Sequence, residues 1–441
     1  MRRILLVFAA AATLFLAGSQ PAAAANSRYI VRTSGGLGSV LRLCIAAKCQ
    51  VQGTLDGNVG QTYLVTSSQN LLTQLLNPVL NLLESLLGIQ SVEADQVLSI
   101  PGVALMSGAP GLSDSAPVNY YGTIVWHGYV TQPAAEIINL QTAQSSFQVS
   151  GTGIVADIDT GVDPLHPALM PVLLQGYDFT RAQPGASEWL DVNGTSNGIS
   201  SSGSQDAQPV MVQQSTAAVL DQSTAAVLDG GPYSDFGHGT MTAGLIHLAA
   251  PTAKILPLKA FSANGEGDLS NIIAALYYAV QNGANVVNMS FDVTVPSPAL
   301  SAAISYANQS GVVLVASAGN ENMSARVYPA SLNPYVVGIA STSNADVKSS
   351  FSNYGTADVW IAAPGENVMS TYPGGTYASS SGTSFSCPLV TGTVALLMDA
   401  RGGVNQSNAA GALAHARPLT PNMNHGRLDV YQAVLNWLSR Q

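Results

Sequence analysis

Between residues 153 and 340 the chain repeats one alternation: a short unbroken apolar run, then a longer stretch where apolar residues return every three or four positions. The runs are Gly153-Ile154-Val155-Ala156-Asp157-Ile158-Asp159, Ile255-Leu256-Pro257-Leu258-Lys259, Val286-Val287-Asn288-Met289-Ser290, Val312-Val313-Leu314-Val315-Ala316 and Val336-Val337-Gly338-Ile339-Ala340. Residues 269–281 and 299–309 carry the helical spacing. Short apolar strands separated by helices predict an α/β fold with a mostly parallel central sheet covered by helices on both faces. Such sheets collect their ligands at the carboxyl ends of the strands. Asp159, Ser290 and Asn320 fall at or just beyond those ends, which places them in one cleft.

Residues 28–100 follow a different pattern. Strands are expected at 29–32, 62–65 and 97–100. Between the last two, Leu72, Leu75, Leu76, Val79, Leu80, Leu83, Leu86 and Leu87 recur at helical spacing, with a kink or restart at Pro78. This predicts a small α+β unit, joined to the rest by a Gly/Ser/Ala/Pro-rich linker over residues 102–117. Ahead of it, Arg2 and Arg3 precede an apolar stretch over residues 4–17, and Ala22-Ala23-Ala24-Ala25 offers a cleavage site before Asn26. That stretch is shorter than the roughly 20 residues a membrane span needs. The reading is therefore an export signal that is removed, leaving a secreted protein, extracellular or periplasmic, with no stable membrane anchor. The expected organisation is 1–25 signal peptide, 26–106 small α+β unit and linker start, and 107–441 α/β domain. Residues 181–231, rich in Ser, Gln, Asn and Gly and carrying a direct repeat (214–221 and 222–229), read as an inserted surface loop in the last of these.

Composition narrows the function. The chain has 441 residues, of which only 9% are charged, and a net charge of −10. Nucleic acid, whose phosphates such a surface repels, is excluded as a partner. There are three cysteines. Cys44 and Cys49 are close enough to bridge across a turn in an oxidising compartment, which leaves Cys387 as a small buried residue.

Three segments carry the candidate chemistry: Asp159-Thr160-Gly161, His238-Gly239-Thr240 and Gly382-Thr383-Ser384. A serine hydroxyl becomes a competent nucleophile when a base takes its proton, and the base needs a buried carboxylate to fix its tautomer. His238 and Ser384 each open a predicted helix. A serine there has the positive end of the helix dipole and an outward backbone N–H beside it, both suited to a developing oxyanion. Asn320 can add a side-chain donor, or can serve as a turn residue after its strand.

With the Asp159 strand, Asn288-Met289-Ser290, Ala318-Gly319-Asn320 and Ser381-Gly382-Thr383-Ser384-Phe385-Ser386-Cys387-Pro388 added, the chain resembles the subtilisin-like serine proteases (subtilases) over residues 126–433. The resemblance implies a serine endopeptidase working through an acyl-enzyme, with Asp159 as orienting carboxylate, His238 as general base, Ser384 as nucleophile and Asn320 as oxyanion donor. It implies that the 28–100 unit is an inhibitory propeptide acting on its own chain. The substrates are then polypeptides, laid along Gly265-Glu266-Gly267 as an added strand. Ser290, Phe291 and Asp292, with Ser317, Ala318 and Gly319, resemble the two walls of the primary side-chain pocket. Asp292 replaces the usual glycine, so it can attract basic side chains, cap the next segment or face solvent. Asp157 stands where the family strand usually has an apolar residue, and Met241 and Leu389 where histidines are common. Residues 248–254 leave little room for the calcium loop of many bacterial relatives. No metal or other cofactor is expected.

Two other classes compete. Asp159-Thr160-Gly161 is also an aspartic-protease signature, but those enzymes pair two such carboxylates and no second copy occurs here. A non-catalytic binding protein on the same fold would not need the complete Asp/His/Ser/Asn set. A lipase or esterase lacks support because the Gly-x-Ser-x-Gly elbow is missing.

Overall fold

The computed structural model describes residues 27–76, 85–100, 109, 111–193 and 233–439. The direct repeat, residues 1–26 and most of the leucine stripe's middle lie outside the described residues.

An eight-stranded sheet dominates. Its central strands are Lys254–Lys259, Ile154–Asp159, Val286–Met289, Val313–Ser317, Val337–Thr342 and Ile361–Pro364, all parallel in that spatial order. Tyr177–Asp178 extends the first edge in parallel, and Gln183–Pro184 adds antiparallel beyond it. The apolar runs are unbroken because both faces are covered. Val155, Ile255, Val286, Val313 and Val315 point to one core, beneath the helices His238–Ala249 and Thr383–Ala400. Their neighbours Ala156, Leu256, Val287, Leu314 and Ala316 point to the other, beneath Leu269–Gln281 and Pro298–Gln309. The fold is the expected α/β arrangement, and within this domain the strands and helices read from periodicity lie within a residue or two of their observed ends.

The two helices of the first face approach closely. A Cβ on Gly392 would sit 2.4 Å from Cβ of Ala249, so that position must stay bare. Pro388 lies inside its helix. Having no N–H, it leaves the carbonyl of Ser384 without the usual partner four residues on.

Residues 27–94 form a separate unit. Its antiparallel sheet pairs Ser27–Thr33 with both Thr62–Ser67 and Ile89–Ala94, and Cys49–Thr54 flanks Thr62–Ser67. A helix, Gly36–Ala47, closes one face around Tyr29, Val31, Val40, Leu43 and Val65. Cys44 and Cys49 form a disulfide at the end of that helix, and Cys387 is free and buried. The unit rests on the second helical face of the large domain through carboxylates at helix N-termini. Asp95 accepts from N and Oγ of Ser270, both at 2.8 Å, at the start of Leu269–Gln281. Glu93 accepts from N of Ala299 (2.8 Å) at the start of Pro298–Gln309. Free N–H groups and the positive dipole end make such positions natural carboxylate seats. Arg28 bridges Asp95 and Asp268, at 2.8 Å each.

Candidate active site

Asp159 ends its strand and His238 opens its helix; Gly239 and Gly161 let the two meet. A Cβ at Gly239 would fall 2.0 Å from the carbonyl oxygen of Gly161. Oδ1 of Asp159 takes the N–H of Thr160 (2.7 Å) and lies 2.6 Å from Nδ1 of His238. Asp159, His238 and Ser384 are 2%, 1% and 4% exposed, so the pair interacts in a water-poor site where electrostatics is strong. Burial pulls the imidazole pKa down, but the charge and hydrogen bond of Asp159, with the charge of Asp235 behind them, outweigh it and leave His238 raised. Nε2, the ring's far nitrogen, makes no hydrogen bond among the described residues.

Ser384 is the second residue of its helix, after Gly382 and Thr383. Its hydroxyl donates to the carbonyl of Ser290 (3.2 Å), and the hydroxyl of Ser290 donates to the carbonyl that Pro388 leaves free (3.0 Å). This reciprocal pair fixes the backbone carrying the serine. Asn320 lies just past the strand Val313–Ser317. Its Oδ1 accepts from both N (2.9 Å) and Oγ1 (3.0 Å) of Thr383. That double anchor sets the amide orientation, so Nδ2 faces Gly382, where an added Cβ would lie 3.8 Å away.

The edge Glu266–Asp268 is occupied by the chain's own strand Val97–Ser99, antiparallel, with Gly267 opposite Leu98. The N–H of Ile100 donates to the carbonyl of Gly265 (2.9 Å). A Cβ on Gly267 would strike Phe261 and the carbonyl of Ala260, so the edge admits only a bare backbone there.

The pocket residues divide by role. Phe291 is buried against Phe261, 5.3 Å between ring centres, so only its backbone is available to a ligand. Ser290 and Ser317 are also buried, the first on Ser384 and the second 3.4 Å from the carbonyl of Phe291. Ala318 is buried, and its carbonyl takes Nδ2 of Asn353 (2.9 Å). Gly319, at φ +92°, is where side chains converge: a Cβ there would lie 2.6 Å from Oδ2 of Asp292 and 2.7 Å from Oε2 of Glu321. Burial, then the charge of Glu321, pushes the Asp292 carboxyl up to about 7.

Several supporting residues carry no sequence signal. Glu188 lies in the stretch read as the start of a surface insertion. It is fully buried, accepting from Oγ1 of Thr160 (2.8 Å) and N of Thr240 (3.0 Å). Residues 183–193 thus belong to the floor of the site, where Gln183–Pro184 and the helix Trp189–Asn193 are ordered elements. Lys259, also buried, bonds Asp191 and the carbonyl of Thr160. Glu321 and Asn353 join the pocket floor through a 2.6 Å bond.

A family model described as Peptidase_S8, Subtilase family, matches residues 151–429. Thermitase of Thermoactinomyces vulgaris is 33% identical over 310 residues, covering 67% of this chain and 93% of that protein. The thermophilic serine proteinase of Bacillus sp. (strain AK1) is 33% identical over 282 residues, 64% of this chain but 61% of that longer protein. Among solved structures, fervidolysin from Fervidobacterium pennivorans, a keratinolytic enzyme related to subtilisin, shares the fold. It has a TM-score of 0.70 at 22% identity, covering 93% of this chain and 61% of that one.

Proposed function

From the premise that this chain belongs to the subtilase family and is a subtilisin-like serine endopeptidase, we propose that Ser384 is its nucleophile, His238 its general base, Asp159 the carboxylate that orients the base and Asn320 an oxyanion donor. The observation that carries the assignment is the buried Asp159–His238 bond at 2.6 Å, which leaves Nε2 with no other task. The side chain of Ser384 rotates from the carbonyl of Ser290 to Nε2, gives up its proton and attacks the scissile carbonyl. The negative oxygen is received by the N–H of Ser384 and Nδ2 of Asn320. His238 then protonates the leaving amine, and water hydrolyses the acyl-enzyme by the same route.

The protein is exported, its first 25 residues are removed, and residues 26–106 act as an inhibitory propeptide. The pairing of Val97–Ser99 with Glu266–Asp268 supports this, since a polypeptide substrate would lie on the same edge by the same backbone bonds. Asp292 and Glu321 favour Lys or Arg before the cut. The last described strand of this unit ends at Ser99 on the substrate edge, with Ile100 bonded to Gly265, so the first cut falls within about residues 100–121 and is made by Ser384 itself; residues 101–108 and 110 lie outside the described ones. Ser384→Ala, expressed in a host without other extracellular proteases and weighed by mass spectrometry, should accumulate as exported, uncut precursor. Normal processing of that variant would rule out self-cleavage.

A further inference from the structure

A second carboxylate lies beneath the Asp159–His238 pair and has none of the roles above. Asp157 precedes Asp159 by two residues on one strand, so both side chains point to the same face, beneath the His238 and Ser384 helices. It is 3% exposed. Its Oδ1 accepts from Nδ2 of Asn288 (2.9 Å), its direct neighbour on the adjacent strand. Its Oδ2 lies 2.9 Å from Oγ1 of Thr242, one turn into the His238 helix. That hydroxyl is also 3.0 Å from the carbonyl of Gly239 and 3.4 Å from Oδ2 of Asp159.

The proton count of this cluster favours a neutral acid. Thr242 has one hydroxyl proton and three oxygens around it. With Asp157 ionised, that one proton serves all three oxygens, and two negative charges share a dry site. With a proton on Oδ2, Asp157 donates to Thr242, and Thr242 passes its own proton to Gly239 or Asp159. The other branch is satisfied as well. Nδ2 of Asn288 has two hydrogens, one for Asp157 and one for Oγ of Ser290 (2.9 Å), while its Oδ1 accepts from Thr391 (2.9 Å) in the Ser384 helix.

We propose that Asp157 is a positioning residue, held as the neutral acid, that ties the carboxylate orienting His238 to the backbone carrying Ser384. The link runs through Thr242 on one side and through Asn288 and Ser290 on the other. Burial, then the charge of Asp159, raises the Asp157 carboxyl above the usual carboxylate range. The titratable groups facing it are Asp159 on its own strand, His238 on the overlying helix and the Cys387 thiol on the Ser384 helix. The flanking strands bring Asn288 and Pro257, neither charged. A neutral acid can hold both branches in register without adding a charge that would keep His238 protonated.

The inference rests on the triad assignment, and its test is built to fail separately. Asp157→Asn reproduces the neutral acid, its amide N–H facing Thr242 and its oxygen facing Asn288. The infrared difference spectrum of wild type minus Asp157→Asn, near neutral pH, should contain a carboxylic-acid carbonyl band. The acid midpoint of kcat/KM should move by less than about 0.3 pH unit in that variant, because no charge beside the imidazole has been removed. Asp157→Val cuts both branches and should lower kcat about tenfold, with KM within about twofold. Absence of the band, a fall of the Asn variant's acid midpoint by about one unit or more, or an unchanged kcat in Asp157→Val would each overturn the proposal. If the Val variant does not fold, the band and the Asn profile still decide. The band is read without turnover, whereas failure of the triad assignment would appear as activity surviving Ser384→Ala.

Discussion

Asn320 has two jobs in this structure, and two substitutions separate them. Its Nδ2 is the proposed oxyanion donor, while its Oδ1 receives the backbone and hydroxyl of Thr383 at 2.9 and 3.0 Å, where the Ser384 helix starts. Asn320→Ala removes both. Loss of one oxyanion donor lowers kcat by about 100- to 1000-fold, or roughly 2.7–4 kcal/mol of transition-state stabilisation, with KM nearly unchanged. Loss of the acceptor leaves two donors without it in a part-buried site, at about 0.5–1.5 kcal/mol each, so stability should fall by roughly 1–3 kcal/mol. Asn320→Asp keeps the acceptor for Thr383 and replaces the donor with a negative charge. It should recover stability while turning over no faster than the alanine variant. The assay is kcat and KM on a chromogenic peptide, with urea unfolding measured in a Ser384→Ala background to suppress self-digestion. Recovery of turnover together with stability in Asn320→Asp would refute the oxyanion role and leave Asn320 as a helix-start clamp.

Other consequences follow from the same geometry. Asp292→Gly should shift preference before the cut from Lys and Arg toward large apolar residues. Because Asp292 gains its charge as pH rises through about 7, the wild-type preference for basic residues should strengthen across that range; identical library profiles for both proteins would retire this reading. Burial pushes Glu188 up to about 7, so the folded chain binds that proton more tightly than the unfolded one. Stability should therefore decline as pH rises from the ordinary carboxylate range through about 7, and Glu188→Gln should flatten the decline of the urea midpoint; equal slopes would contradict it. Asp95→Ala removes a helix-capping carboxylate and one of the two partners of Arg28, weakening the hold of the N-terminal unit by about 1–2 kcal/mol. The lag between precursor cleavage and full activity should shorten, and an unaltered lag would mean that docking relies on other contacts.

The parts legible in the sequence are those with a one-dimensional signature. Residues 153–159 and 312–316 read as strands because both sheet faces are buried, and 269–281 read as a helix because one face is apolar. Asp159, His238, Ser384 and Asn320 sit in short fixed motifs at element ends. The helix Gly36–Ala47 was less legible because its first turn, Gly-Leu-Gly-Ser, has poor helix propensity. The strand Cys49–Thr54 is mostly exposed and polar, so its alternation is faint. Glu188 sits within the stretch read from composition as a surface loop, yet its side chain is buried under Thr160 and Thr240. Thr242 and Asn353 are ordinary polar residues until the fold brings them to partners 85 and 35 positions away. Their roles depend on spatial neighbours that sequence spacing does not reveal.

The claim that Ser384, activated by His238, performs the chemistry is tested most directly by a fluorophosphonate probe. Applied to the processed enzyme and located by peptide mass spectrometry, the label should sit on Ser384. It should be absent from Ser384→Ala and slowed by orders of magnitude in His238→Ala, while an aspartic-protease inhibitor leaves activity intact. A label on another residue, or undiminished labelling of the His238→Ala protein, would contradict the account.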